Sequence, residues 1–367
     1  MIESLHISGF RVFGHITLPR LGRMNLFVGE NNSGKSCLLE AVNLYAGMAP
    51  VTDILQTAAG RSADRPRSWD PVSLTEEGTS LRHPVFDLFH RAGPLGPKGP
   101  ILIGTTEDPK PLRVELRLHR TVVDEEGRER YIPALLGDVT SEPAELALPV
   151  YRGDRQVGLV TRYSRPLRGY TPDLGKMLSE DARTVAFLPA SGFADEEAAS
   201  MWDALVQGPG QKLVLDWLRM LDPRVEDLDY VAGRLRARLA LLKVEGEGRL
   251  PLRSMGDGLT KLFHIALAAA SAPQGVLLID EFENGLHWSV QEKLWKALAR
   301  AARDFNVQVF STTHSRDCIE SFAAAAKDAG PDGASIYRLE RKGDDVIATD
   351  LPLLNVDAAM REHQEVR

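Results

Sequence analysis

The glycine-rich segment at residues 29–36 constrains this sequence more than any other feature. It fits the pattern GxxxxGK[ST] in full, with the residues Gly29, Glu30, Asn31, Asn32, Ser33, Gly34, Lys35 and Ser36. The apolar run 26–28 before it is typical of a buried strand, and apolar residues at helical spacing follow it between Leu38 and Tyr45. Strand, glycine-containing loop and helix are the context that a phosphate-binding loop requires, so the sequence predicts an α/β protein that binds ATP.

The same segment predicts the chemistry of the bound nucleotide. Backbone N–H groups of the loop and the positive end of the following helix bind phosphate oxygens. We expect Lys35 to neutralise charge on the β- and γ-phosphates and Ser36 to ligate Mg²⁺, which makes ATP and Mg²⁺ the expected cofactors. The alternative is a chance match in a glycine-rich turn, which the strand before the loop and the helix after it argue against.

A second motif consists of two acidic residues directly after the apolar run Val276-Leu277-Leu278-Ile279, which is typical of a buried strand. We expect Asp280 to hold Mg²⁺ through its water shell and Glu281 to act as the general base on the attacking water. A buried strand that ends in acids is common by chance, but its position after a phosphate loop favours the catalytic interpretation.

A third motif, Ser254-Met255-Gly256-Asp257-Gly258, directly precedes an amphipathic helical pattern that runs from Leu259 to Ala270. Small residues at a helix N-terminus expose backbone N–H groups and can bind an anion. The alternative is an ordinary helix cap, for which Asp257 is a suitable residue.

Taken together these motifs resemble the ABC-type ATPases, and most of all the OLD-like (overcoming lysogenisation defect) ATPases related to SMC and RecF. The phrases that carry the resemblance include Asp280 to His287, Thr312-Thr313-His314-Ser315, and an N-terminal Phe10-Arg11. The resemblance implies that His314 is a switch histidine on the γ-phosphate and that Arg11 approaches the nucleotide. It also implies that Asn284 and His287, in the D-loop, are dimer-interface residues. The signature residues would complete the ATP site of a second protomer; they are Ser254, Gly256, Asp257 and Gly258. The solvated strand-end interpretation of Arg11 stays open.

The expected fold is a P-loop NTPase of ABC type, with a mixed central sheet flanked by helices and an inserted β-hairpin and helical lobe. We expect residues 1–50 and 245–367 to form the ATPase core and residues 51–244 to form the inserted arm and lobe. Alternation from Leu112 to Leu118 predicts one half-exposed strand, and residues 335–349 predict a hairpin that turns at Lys342-Gly343-Asp344.

Composition and charge narrow the functional classes that the motifs leave open. The chain has 367 residues, a net charge of −7 and two cysteines without metal-ligand spacing, which predicts a cytoplasmic protein that does not coat nucleic acid. We expect no leader peptide and no membrane span. The 53 residues after His314 are too few for the TOPRIM nuclease domain of full-length OLD proteins, so we expect the chain itself not to be a nuclease.

The leading functional hypothesis is a switch in which ATP joins two chains, as a homodimer or a higher even-numbered oligomer. The resemblance implies a separately encoded TOPRIM-type nuclease or other effector as partner, with a role in phage defence or DNA processing and with nucleic acid reached through that complex. A RecF-like ATPase that clamps DNA in repair or recombination is the alternative. A transporter ATPase subunit is a third, which the signature and D-loop sequences disfavour.

Overall fold

The computed structural model describes residues 1–48, 54, 57, 84–92, 97–108, 110–123, 129–134, 145–160, 182–206, 208–232, 238–326 and 333–353. Its helices are α1 (Lys35–Ala46), α2 (Asp195–Leu205), α3 (Pro209–Leu221), α4 (Asp257–Ser271), α5 (Trp288–Asp304) and α6 (Arg316–Ala326). Two 3₁₀ helices cover Pro84–Leu88 and Leu252–Met255.

The strands of the described residues form three sheets. The first nine are β1 (Leu5–Phe10), β2 (Phe13–Leu18), β3 (Met24–Val28), β4 (Ile101–Gly104), β5 (Leu112–Val114), β6 (Arg117–Val123), β7 (Glu129–Ala134), β8 (Glu145–Arg152) and β9 (Arg155–Val160). The others are β10 (Val185–Leu188), β11 (Val225–Ala232), β12 (Arg238–Val244), β13 (Gly248–Pro251), β14 (Val276–Ile279), β15 (Gln308–Thr313), β16 (Ala334–Lys342) and β17 (Asp345–Asp350).

A six-stranded central sheet has the order β10-β14-β15-β3-β16-β17, in which only β17 is antiparallel to its neighbour. Strands β3, β14 and β15 are buried along their whole length, as strands of a parallel sheet covered on both faces should be. The expected mixed sheet and the expected C-terminal hairpin are therefore confirmed.

Each central strand contributes to two hydrophobic cores because its side chains alternate between the two faces of the sheet. Leu277 and Ile279 pack in one core with α2 to α6, whereas Val276 and Leu278 pack in the other with α1 and the strands β1 and β2. The carboxyl ends of β3, β14 and β15 meet at one edge of the sheet, which is where ligands bind in open α/β sheets.

A second, antiparallel sheet has the order β2-β1-β4-β5-β8-β6-β7, with β9 also paired to β8. The prediction of a single strand from Leu112 to Leu118 is wrong, because the chain forms β5 and β6 with a break at residues 115–116. Both strands pair with β8, Val114 opposite Val150 and Arg117 opposite Ala147. The break lets one stretch of chain follow β8 first and then pair with β7 in a hairpin.

The boundaries predicted for the inserted arm and lobe, residues 51–244, stay a prediction, but two strand pairings join this range to the predicted ATPase core. Strand β4 pairs with β1, so the second sheet runs from the N-terminal segment into residues 101–160. Strand β10 pairs in parallel with β14, with Leu188 opposite Ile279, which makes it an edge strand of the central sheet. Helices α2 and α3 and the three-stranded sheet β11-β12-β13 lie between β10 and α4 in the chain.

Candidate nucleotide-binding and catalytic site

The loop between β3 and α1 has a backbone that its two glycines permit. Gly29 has φ 153° and Gly34 has φ 94°, values that side chains disfavour. A Cβ at Gly29 would lie 2.5 Å from the Leu339 carbonyl oxygen, and one at Gly34 would lie 2.9 Å from Val12 Cγ2. Both distances are below real Cβ contacts, so the loop requires glycine at these two positions for space as well as for conformation.

Lys35 closes the loop on itself. Its Nζ donates to the carbonyl oxygens of Gly29 and Glu30, each at 2.7 Å. Burial lowers the pKa of Lys35, and the nearby carboxylates of Asp280, Glu281, Glu283 and Glu30 oppose that shift. The ammonium group therefore sits in the loop cavity, where a phosphate oxygen would take the place of the two carbonyls.

Residues 30–32 are exposed and Ser33, Gly34 and Lys35 are buried, so the loop presents one open side. Helix α1 begins at Lys35 with Gly34 as its N-cap and has no side-chain cap. The first amide groups of such a helix lack intrahelical acceptors and can bind an anion.

Asp280 connects the loop to the end of β14. Its Oδ1 accepts hydrogen bonds from Ser36 Oγ at 3.2 Å and from Thr312 Oγ1 at 2.6 Å. Ser36 and Asp280, the two residues that the sequence predicts as metal ligands, are thus direct neighbours. Thr312 was not predicted from the sequence, because nothing in the local pattern shows that its hydroxyl faces the acid on the adjacent strand.

Glu281 follows with a left-handed backbone, φ 51°, which is uncommon for a residue with a side chain. Its amide donates to Thr312 Oγ1 at 2.9 Å, so one hydroxyl holds both acids of the motif. Backbone strain of about 1–3 kcal/mol persists where surrounding contacts impose it, often at active sites. The side chain is half-buried and stands beside Asp280 at the open edge of the sheet.

His314 lies at the end of β15, next to the Asp280 cluster. Its backbone amide donates to Glu283 Oε1 at 2.9 Å, and its ring Nδ1 lies 3.2 Å from the same oxygen. The ring is half exposed, whereas the Glu283 side chain is only 10% exposed. Glu283 is a second site residue that the sequence interpretation did not assign, although it lies within the segment on which the family resemblance rests.

Lys261 on α4 is a third unassigned residue. It is 6% exposed, and its Nζ lies 3.5 Å from the main-chain oxygen of Asp280. Burial lowers the pKa of Lys261, and the carboxylates of Glu283, Asp280 and Glu281 oppose this, Glu283 most strongly. A buried lysine side chain therefore lies next to the main chain of Asp280.

The signature segment 254–258 lies on the surface. Ser254, Gly256 and Asp257 are exposed, Gly256 has φ 97°, and α4 begins directly after it. A Cβ at Gly258 would lie 3.3 Å from the Gly285 carbonyl oxygen, so this loop packs against the D-loop. Among the described residues, none of its hydrogen bonds or ion pairs reaches residues 29–36.

The D-loop residues are also exposed. Asn284 Nδ2 donates to the Ala190 carbonyl oxygen at 3.2 Å, after the edge strand β10. His287 is the N-cap of α5, where its Nδ1 accepts from the Ser289 amide at 3.4 Å. Each residue has a structural contact within the chain and still faces outward, so an interface role remains a prediction.

Arg11 is engaged in contacts within the chain. Its Nε lies 2.6 Å from Glu40 Oε2 on α1, and its NH groups donate to the carbonyl oxygens of Asp87 and Thr57. The expected approach of Arg11 to the nucleotide stays a prediction, whereas the solvated strand-end alternative is wrong, since Arg11 is buried. The arginine instead joins β1, α1 and the 3₁₀ helix 84–88.

The site as a whole fits a nucleoside triphosphate with Mg²⁺. Ser36 and Asp280 supply hard oxygen ligands, and Lys35 and the loop amides supply the phosphate donors. Within the described ranges no cluster of three His, Cys, Asp or Glu residues could hold a metal. A metal here would complete its shell with phosphate oxygens and water, which is the usual arrangement for Mg²⁺.

These observations describe a nucleotide-binding site of the P-loop type, in which a glycine-rich loop and a strand-end aspartate meet at one edge of a parallel sheet. Residues 207–317 match the family described as "AAA domain, putative AbiEii toxin, Type IV TA system". A solved structure with a similar fold is an SMC head bound to the C-winged helix domain of ScpA, with a TM-score of 0.51, 14% identity and coverage of 96% of this chain and 98% of that one. This likeness confirms the expected fold class.

Two curated proteins are similar in sequence. The "ATP/GTP phosphatase" of Helicobacter pylori is 26% identical over 341 residues, 87% of either chain. The uncharacterized protein MJECL11 of Methanocaldococcus jannaschii is 36% identical over 108 residues, 29% of this chain and 93% of that protein. Residues 207–317 therefore resemble an AAA domain, and the chain has an SMC head-like fold. In the part of the chain that the structure describes, no helix is both long and apolar enough to cross a membrane.

Proposed function

We propose that this ATPase works as a dimer in which each chain supplies one half of each of two ATP sites. The observation that carries the proposal is the separation of the phosphate loop from the exposed signature loop 254–258. The phosphate loop with Asp280 and Glu281 forms one half-site, and the signature loop forms another, and among the described residues no polar contact joins the two. A loop of small residues before a helix is suited to a phosphate, and a second copy can bring one.

In this proposal each residue of the site has a chemical role at the position it occupies in the structure. Lys35 and the loop amides bind the β- and γ-phosphates, and Ser36 and Asp280 would hold Mg²⁺, which would supply positive charge to the phosphoryl oxygens. Glu281 accepts the proton of the attacking water as general base. His314 Nε2 faces the γ-phosphate because Nδ1 is engaged by Glu283.

We further propose that the dimer is a switch for an effector. A separately encoded TOPRIM-type nuclease, in phage defence or DNA processing, is the partner that the OLD-like motifs suggest, with nucleic acid reached through the complex. The net charge of −7 supports this division, because a chain with that charge lacks the general basic character of a DNA-coating protein.

The direct test is Glu281→Gln with ATP and Mg²⁺, followed by a mass measurement in solution. Loss of the general base should stop hydrolysis and leave ATP bound, so the mass should double, whereas the wild-type chain should return to its starting mass as ATP is consumed. Glu292→Gln on the exposed face of α5 is the matched control and should behave as the wild type. Normal hydrolysis by Glu281→Gln, or an unchanged mass with ATP bound, contradicts the proposal.

A further inference from the structure

A cleft of about 450 Å³ opens beside the phosphate loop. Residues 30–33 line one wall, and residues 338–342, at the end of β16, line the other. Small-molecule sites in proteins measure about 300–1,000 Å³, so the cleft is large enough for a ligand of that class. The side chains assigned to the phosphates and to Mg²⁺, which are Lys35, Ser36 and Asp280, are not part of its described lining. The cleft is therefore a separate compartment next to the phosphate site.

The cleft and the catalytic acids lie on opposite sides of β3. In the central sheet β15 and then β14 follow β3 on one side, whereas β16 pairs with β3 on the other. Asp280 and Glu281 directly follow β14, and His314 directly follows β15. A triphosphate in the loop that has its γ-phosphate toward these residues therefore has its α-phosphate, and the nucleoside attached to it, toward β16.

Strand β16 continues beyond the end of β3. Arg338 opposite Val28 is the last pair between these two strands, whereas the pairing of β16 with β17 continues to Lys342. Among the described strands, residues 339–342 therefore have β17 as their single neighbour, and the other edge of β16 borders the cleft.

The main chain of Arg341 faces this open edge. The Leu351 amide donates to the Ile336 carbonyl oxygen at 2.9 Å, so even-numbered residues of β16 direct their main-chain groups toward β17. Odd-numbered residues direct theirs the other way, and a Cβ at Gly29 would accordingly lie 2.5 Å from the Leu339 carbonyl oxygen. Arg341 thus presents one N–H donor and one C=O acceptor to the cleft.

Ser33 supplies a further polar group to the cleft. The residue is 4% exposed, and its Oγ has no hydrogen-bond partner among the described residues. A buried hydroxyl without a partner costs free energy, which a ligand in the cleft can recover by a hydrogen bond.

We propose that the cleft binds the adenosine part of ATP. This inference rests on the proposed function, because the triphosphate has to lie in the phosphate loop. Adenine has an acceptor, N7, beside an amino donor, N6, and the N–H and C=O groups of Arg341 match this pair. Ser33 Oγ lies at the loop end of the cleft, where the ribose joins the α-phosphate.

The test measures the binding of ATP and of inorganic tripolyphosphate to the full-length chain by calorimetry, in EDTA so that no hydrolysis occurs. Arg341→Pro removes the N–H that faces the cleft, and proline is tolerated where a strand N–H has no strand partner. Arg341→Ala, which keeps this N–H, is the matched control. Relative to Arg341→Ala, Arg341→Pro should bind ATP about 3- to 10-fold more weakly and tripolyphosphate equally well. Equal ATP affinity of the two variants would overturn the recognition of the base by Arg341.

Glu340 provides a second arm. Glu340→Trp places an indole at a residue that lines the cleft, so it should weaken ATP binding by at least about 10-fold and leave tripolyphosphate binding within about twofold of wild type. Glu292→Trp, on the exposed face of α5, should leave both affinities unchanged. If neither cleft variant folds, photolabelling of the wild-type chain with 8-azido-ATP decides the question. Label within residues 30–33 and 338–342 supports the proposal, and label confined to other residues overturns it.

The two proposals fail separately. Unchanged affinities for ATP and tripolyphosphate in both Arg341→Pro and Glu340→Trp refute the cleft as the adenosine site and leave the dimer mechanism standing. A wild-type chain that binds neither compound refutes the proposed function itself.

Discussion

Thr312 offers a sharp test of how the catalytic acids are held. Its side chain is fully buried, and its hydroxyl both donates to Asp280 Oδ1 at 2.6 Å and accepts from the Glu281 amide at 2.9 Å. Thr312→Val has the same shape but lacks the hydroxyl, so it removes both hydrogen bonds without leaving a cavity.

The loss of stability in Thr312→Val follows from these two hydrogen bonds. A hydrogen bond to a charged group contributes about 1.5–3 kcal/mol, and a buried amide left without an acceptor costs about 1–3 kcal/mol. Asp280 keeps the bond from Ser36, and the Glu281 amide is only partly buried, so both losses fall below their upper limits. We expect Thr312→Val to lower the free energy of unfolding by about 2–4 kcal/mol.

Activity should fall as well. Without the hydroxyl the left-handed backbone of Glu281 loses a contact that fixes it, and a misplaced catalytic group can reduce kcat about 10- to 100-fold. Urea unfolding and steady-state ATP hydrolysis measure the two effects. Thr312→Ser keeps the hydroxyl, loses one methyl group, and should lie within about 1 kcal/mol of wild type. A Thr312→Val chain as stable and as active as Thr312→Ser would refute this reasoning.

Two further predictions concern conformation and pH. Gly34→Ala would place a Cβ 2.9 Å from Val12 at a disfavoured φ, so it should cost about 1–3 kcal/mol and abolish binding of a fluorescent ATP analogue, whereas Gly99→Ala, with open space around it, should bind normally. Burial lowers the pKa of His264 from 6.5 to about 4. On acidification His264 is protonated at a higher pH in the unfolded chain than in the folded chain. The free energy of unfolding should therefore fall as pH drops from 6.5 to 4. In His264→Gln, which can still accept from the Phe193 amide, urea unfolding should show a smaller fall, and an equal fall would exclude His264 as its source.

The parts of the site that the sequence predicted are those formed by neighbouring residues in the chain. The phosphate loop, Asp280 and Glu281 each follow directly from a short apolar strand, and the structure brings Ser36 to Asp280 because their strands end at the same edge of the sheet. Local spacing and the rule for parallel sheets are enough to infer that arrangement.

The residues that were missed depend on contacts between distant segments. Lys261 lies opposite the apolar stripe of its helix in the sequence pattern, and only the packing of α4 on β14 shows what it faces. Arg11 is likewise buried against Glu40 and two carbonyl groups of distant segments, contacts that a strand-end position in the sequence does not reveal. The break between β5 and β6 likewise follows from pairing with β8, more than 25 residues later in the chain, which alternation within residues 112–118 cannot reveal.

The contact between Gly34 and the β1–β2 turn has a consequence for how mutations will be tolerated. The atoms nearest to a Cβ added at Gly34 belong to Val12 and Phe13, and Phe13 is completely buried in the hydrophobic core. The width of the phosphate loop is therefore determined partly by a hairpin that contains no nucleotide-binding motif. A random mutagenesis screen for loss of ATP binding should find enlarged side chains at position 12 and shortened ones at position 13 alongside changes in the loop itself.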